Sequence, residues 1–230
     1  MAGIEAMQLD ARLAQLGVNR QIFVDAAEWA ASQARMSTKF DAPSMPGITF
    51  WSRANRYLAE CLTDRKYLAK HLKDVNETST PWNHTRRDSI LRVVHPAGTH
   101  AITAISGSGG IGNLDRPARS KNPKGSAMAV IVENNVKFER RTGQGVILSR
   151  DDIEFGGELE EMPLWIFLYG RTEAGLAAEL SRPVKMNGQY VNEWAERIPL
   201  FTISDPGVDV EILDAPDDDN GVHIPVQFTG

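Results

Sequence analysis

The feature that most restricts this chain is a change of hydrophobic period part-way along it. Up to about residue 62, apolar residues recur at the three- and four-residue spacing of an amphipathic helix. From Ser89 onward they alternate, or run together with β-branched residues, as strands do. A helix returns a side chain to one face every ~3.6 residues and a strand every second residue, so neither pattern can serve the other element. Helices first and strands afterwards specify an α+β fold, with N-terminal helices followed by a mainly antiparallel, meander-like sheet. No repeat at a fixed spacing is present. At 230 residues the chain is expected to form a single compact domain, with a helical portion over 1–75 and a mainly β portion over 89–230.

In the helical portion, Leu9, Leu13 and Leu16 mark one helix that stops at Gly17. Asn19 can cap a second, whose apolar face carries Ile22, Phe23, Ala26, Trp29, Ala30 and Ala34. Pro43, Pro46 and Gly47 predict a loop over 41–47. Thr49 then opens a third helix with Trp51, Ala54, Leu58 and Leu62 on its buried side. Cys61 falls on that side too and is expected to be a small buried hydrophobe. As the only cysteine it can form no internal disulfide.

In the β portion, 89–95 and 99–106 read as a hairpin around Pro96 and Gly98. Strands are also expected over 164–169, 176–181, 190–200, 208–213 and 222–228. Within the first of these, Trp165, Phe167 and Tyr169 alternate with Leu164, Ile166 and Leu168, so both faces are apolar and should be covered. Residues 126–136 fit either a strand or a helix, and Ser126 as a cap, Ala127, Ala129 and Glu133 favour the helix.

The net charge of −5 conceals a strong segregation. Residues 53–141 hold 16 basic and 8 acidic side chains, whereas 142–230 hold 5 basic and 17 acidic. A field follows from where charges lie, so the middle third is the part of the chain suited to an anion. Its centre, 106–125, is turn-forming and basic without an apolar period, which predicts a long loop. Arg116, Arg119, Lys121 and Lys124, joined by Arg140 and Arg141, are the candidate polyanion-binding residues. Gly107, Gly109, Gly110 and Gly112 form a candidate phosphate loop that contains a G-x-G-x-x-G pattern. A dinucleotide fold requires a helix directly after the third glycine, and the following stretch with Pro117 and Pro123 does not supply one. No aromatic residue interleaves the loop, so base stacking is not expected there.

Other chemistry is thinner. His95, His100 and Asp88 are candidates for an acid–base or metal site, at a spacing that is not diagnostic. Asp88, Glu133 and Lys137 contain the residue types of a paired-carboxylate nuclease, in a pattern short enough to arise by chance. The aspartates of 214–221 suit a solvated turn. No cofactor and no metal are expected. No apolar run approaches the roughly 20 residues of a membrane helix, and a cytoplasmic protein without a membrane partner is expected. Three functional readings follow. The first is a non-catalytic binding or accessory protein that engages a polyanion, nucleic acid above all, through the basic glycine-rich loop. The second is a hydrolase or nucleotide-processing enzyme with a cleft formed by the histidines and the glycine loop. The third is a protein-interaction or structural module that docks a basic partner on its acidic third.

Overall fold

The computed structural model describes residues 2–62, 93–94, 100–143 and 163–204. Helix α1 spans Ala2–Gln15 and ends ahead of Gly17, whose φ is 67°. Asn19 takes an extended backbone conformation and its side chain accepts the Ile22 amide at 3.0 Å, which starts α2, Arg20–Ala34. Helix α3, Met45–Leu62, begins inside the stretch expected to be a loop. Pro46 sits in its first turn, where a missing amide hydrogen breaks no helical bond. Its buried face carries Ala54 and Leu58 as expected, but Phe50 enters the core where Trp51 was expected, and Trp51 is only half-buried. Cys61 is exposed rather than buried, because it lies one turn beyond Leu58, the last α3 residue of the core.

Strands β1 (Val93–Val94) and β2 (Ala101–Gly109) pair antiparallel, Val93 opposite Ile102, as the hairpin reading expected. Strand β3 (Ala118–Ser120) pairs antiparallel with the end of β2. Helix α4, Ser126–Gly143, resolves the ambiguity of 126–136 in favour of helix. Strands β4 (Leu164–Thr172), β5 (Gly175–Asn187) and β6 (Tyr190–Ile203) follow as a meander. The sheet order is β1-β2-β4-β5-β6, with β3 off this path on β2. One correction concerns the sheet: it is mixed, not a pure antiparallel meander, because β2 and β4 run parallel from Ala101 opposite Leu164 to Ser106 opposite Tyr169. Parallel neighbours need a long connection, and the chain between them supplies one that contains β3 and α4. The expected strands at 208–213 and 222–228 lie outside the described residues.

The sheet is covered on both sides. On one face, Trp165, Phe167 and Tyr169 of β4 pack with Phe23, Ala30, Phe50 and Leu58 from the first helices. On the other, Leu164, Ile166 and Leu168 pack with Met128, Ile131 and Val132 of α4. Two buried asparagines satisfy backbone where strand pairing stops. Asn55 of α3 accepts the Ala104 amide at 2.9 Å, and Asn135 of α4 bonds both the amide and the carbonyl of Leu164 and the carbonyl of Pro183. Arg12 joins α1 to β6 through a two-pronged contact with Glu196 at 2.6 and 2.8 Å. No helix among the described residues is long and apolar enough to cross a membrane.

Candidate polyanion site

The stretch between β2 and α4 is ordered, and strand β6 is its bed. From one end to the other, the carbonyls of Gly110 and Arg116 accept from Arg197, the carbonyl of Ala118 accepts the Trp194 indole N–H, Ser120 Oγ accepts the Val191 amide, and the Lys124 amide donates to the Gln189 carbonyl. Residues 110–124 therefore lie along β6 in reverse direction, as a strap. These five hydrogen bonds span the strand from Arg197 back to the turn that precedes Tyr190.

Arg197 and Glu179 fasten the strap at its glycine end. Glu179, on β5, is fully buried, and Arg197, across from Ser181 on β6, is nearly so, with side-chain exposures of 0% and 12%. The guanidinium donates to both carboxylate oxygens, Nε at 2.9 Å and Nη2 at 2.7 Å. Its remaining hydrogens reach the carbonyls of Arg116 at 2.8 Å and Gly110 at 2.9 Å. Glu179 also accepts the Gly112 amide and the Ser181 hydroxyl, each at 2.8 Å. A carboxylate and a guanidinium can be buried only if paired and hydrogen-bonded in this manner. Because their charges cancel, the pair holds the strap through backbone carbonyls and an amide, without using the side chains of Arg116 and Arg119.

The glycines serve this close packing. Gly112 has φ of 74°, a conformation side-chain-bearing residues rarely take, and it aims its amide at Glu179. A β-carbon on Gly107 would stand 2.6 Å from Leu168 Cγ, so the strand can cross β4 only without one. Gly109 lies at the end of β2, and the Gly110 amide donates to the Pro117 carbonyl at 2.8 Å. The amides of Gly110 and Gly112 are thus engaged within the protein.

Of the candidate cations, Arg116, Arg119 and Lys121 are exposed and Lys124 is buried. Arg119 points outward from β3 with its guanidinium carbon 5.0 Å from the centroid of the Tyr190 ring. Arg140 and Arg141 are on the last turns of α4, and their side chains lie outside the described residues. His100 is buried directly before β2, whereas His95 and Asp88 lie outside the described residues. Glu133 and Lys137 form an exposed i,i+4 ion pair on α4 at 2.9 Å. No cluster of three metal-binding side chains occurs among the described residues. No protein-family model, no curated protein and no solved structure matches this chain.

Three residues of this candidate site were not among those the sequence pointed to. Glu179 stands as a charge inside the apolar run Leu176–Leu180, a pattern that signals pairing, whereas Arg197 lies in a mixed polar segment and gives no such signal. Tyr190 carried no such signal, since Arg119, which lies over its ring, is as far from it in the chain as Ser120 is from Val191, 71 positions. The acidic third also looks different in space. Residues 163–204 carry Glu173, Glu179, Glu193 and Glu196 against Arg171, Arg182, Lys185 and Arg197, so the acidity belongs to 144–162 and 205–230, outside the described residues.

Proposed function

We propose that this chain is a non-catalytic binding or accessory protein that engages a polyanion, nucleic acid above all, through the outward cations of the strap. One observation supports this most directly: Arg116 and Arg119 are exposed, and among the described residues neither meets a carboxylate. A surface cation already paired would have to exchange one anion for another, whereas these two exchange only solvent counterions. The strap's fixed backbone also lowers the ordering cost that a mobile basic loop would meet on binding.

The reading is tested by salt dependence. With Arg116, Arg119 and Lys121 engaged, log affinity for a single strand should fall with log salt at a slope of about −2, from roughly 0.7 per neutralised phosphate. Replacing the three together by alanine should flatten the slope and weaken binding at low salt. A slope near zero, or no binding at about 50 mM salt, would contradict the proposal.

A further inference from the structure

We infer that the polyanion is a single-stranded nucleic acid, one of whose bases stacks against the Arg119–Tyr190 pair, on the guanidinium that the ring backs. The inference rests on the polyanion reading and adds the class of ligand. The basic loop has no aromatic of its own, but the fold supplies one. Tyr190 opens β6 directly after the β5–β6 turn, where it pairs with Asn187. The strap's contacts at Ser120 with Val191 and at Lys124 with Gln189 enclose this position on both sides, so β3 carries Arg119 over the ring. Tyr190 is half-buried, fixed by the strand and partly open to solvent, while Arg119 is exposed.

An outward guanidinium set against a phenol ring joins the two surfaces on which unstacked bases rest, an aromatic face and a planar cation. Arg116 and Lys121, near in sequence on either side, supply cations for the flanking phosphates. A duplex could use the cations but not the ring, because its base faces are closed by its own stacking. A sulfated polysaccharide has no base to offer.

The test uses the full chain with an oligo-dT of about 12 nucleotides, a length of the order that single-strand grooves occupy. Its competitors are an abasic strand of equal length and charge, a duplex, and heparin. Oligo-dT should bind about tenfold or more tightly than the abasic strand. Y190L should remove that advantage and leave the salt slope unchanged, and Y190F should retain it. R119A should lower both the affinity and the slope. Circular dichroism of Y190L and Y190F establishes that both variants fold, and because Y190F keeps the ring, its behaviour separates stacking from structural damage. If oligo-dT binds no better than the abasic strand, or if Y190L binds it as the parent does, the stacking inference is overturned while the polyanion reading stands. Equal or tighter binding of the duplex or of heparin likewise overturns the single-strand class. If none of the polyanions binds, both readings fall.

Discussion

Arg197 fills two roles with one guanidinium: it neutralises the buried Glu179 and it holds the carbonyls of Gly110 and Arg116. Removing it leaves a carboxylate with no exposure and no counter-charge, which typically costs about 3–5 kcal/mol. R197A should therefore lower the unfolding free energy by that amount in a urea titration. Replacing both partners by apolar residues of similar volume, as in E179L with R197M, should cost much less in stability. It should still loosen the strap, so polyanion affinity should fall in the double variant with little change in salt slope. An R197A protein as stable as the parent would show that the pair is not desolvated as described. Cys61 allows a second prediction at this scale. Although the residue is exposed, desolvation of its thiol raises the pKa above the ordinary value, and the Glu60 and Asp25 carboxylates add to this while the hydrogen bond with Tyr57 opposes it. Alkylation near pH 8 should accordingly be slower than for a free thiol, since the thiolate is the nucleophile. E60Q should lower the pKa and speed the reaction, as a rate-against-pH profile would record.

Elements were legible wherever the information was local. The caps and period of α1 and α2, the helix at 126–136 and the strands from Leu164 to Ile203 all follow from residues a few positions apart. What was not legible depends on partners far along the chain. The parallel pairing of β2 with β4 and the laying of the strap on β6 are joined by contacts such as Trp194 to Ala118, at a separation of 76 residues. The stretch 106–125 read as a long loop because it has no apolar period, whereas β2 runs on to Gly109 and β3 forms at Ala118–Ser120. The stretch is ordered instead by backbone hydrogen bonds and by the buried ion pair, which leave no such period. Asn135 is an element-scale feature of the same type, a polar residue on a buried helix face whose purpose is invisible without the sheet. Its amide bonds Leu164 twice and Pro183 once, so N135L should leave those backbone groups unsatisfied. A loss of about 1–3 kcal/mol is expected, measurable by urea or thermal unfolding. A neutral outcome would mean that water replaces the amide and that α4 is not docked through it.

At the scale of the whole molecule, β4 decides how the two cores are related. Its odd-numbered side chains, Trp165, Phe167 and Tyr169, enter the cluster under α1, α2 and α3, and its even-numbered ones, Leu164, Ile166 and Leu168, enter the cluster under α4. Neither cluster can come apart without withdrawing one face of a strand that the other needs. The described residues should therefore unfold together, as a shared sheet couples its two coverings. F167A, which removes a fully buried ring in contact with Phe23 at 5.2 Å, should cost about 3–5 kcal/mol, and I166A on the opposite face about 2–5 kcal/mol. Each should shift one transition, seen identically by tryptophan fluorescence and by far-ultraviolet circular dichroism. Among the described tryptophans Trp165 lies in the first core and Trp194 packs against the second, so the comparison is made in a W194F background, where fluorescence is weighted to the first core while dichroism reports on all helices, α4 included. If I166A moved the dichroism transition and left the fluorescence transition in place, α4 and its face of the sheet would be a separately melting layer. The strap, bonded along β6 and leading into α4, would then be the joint between two units.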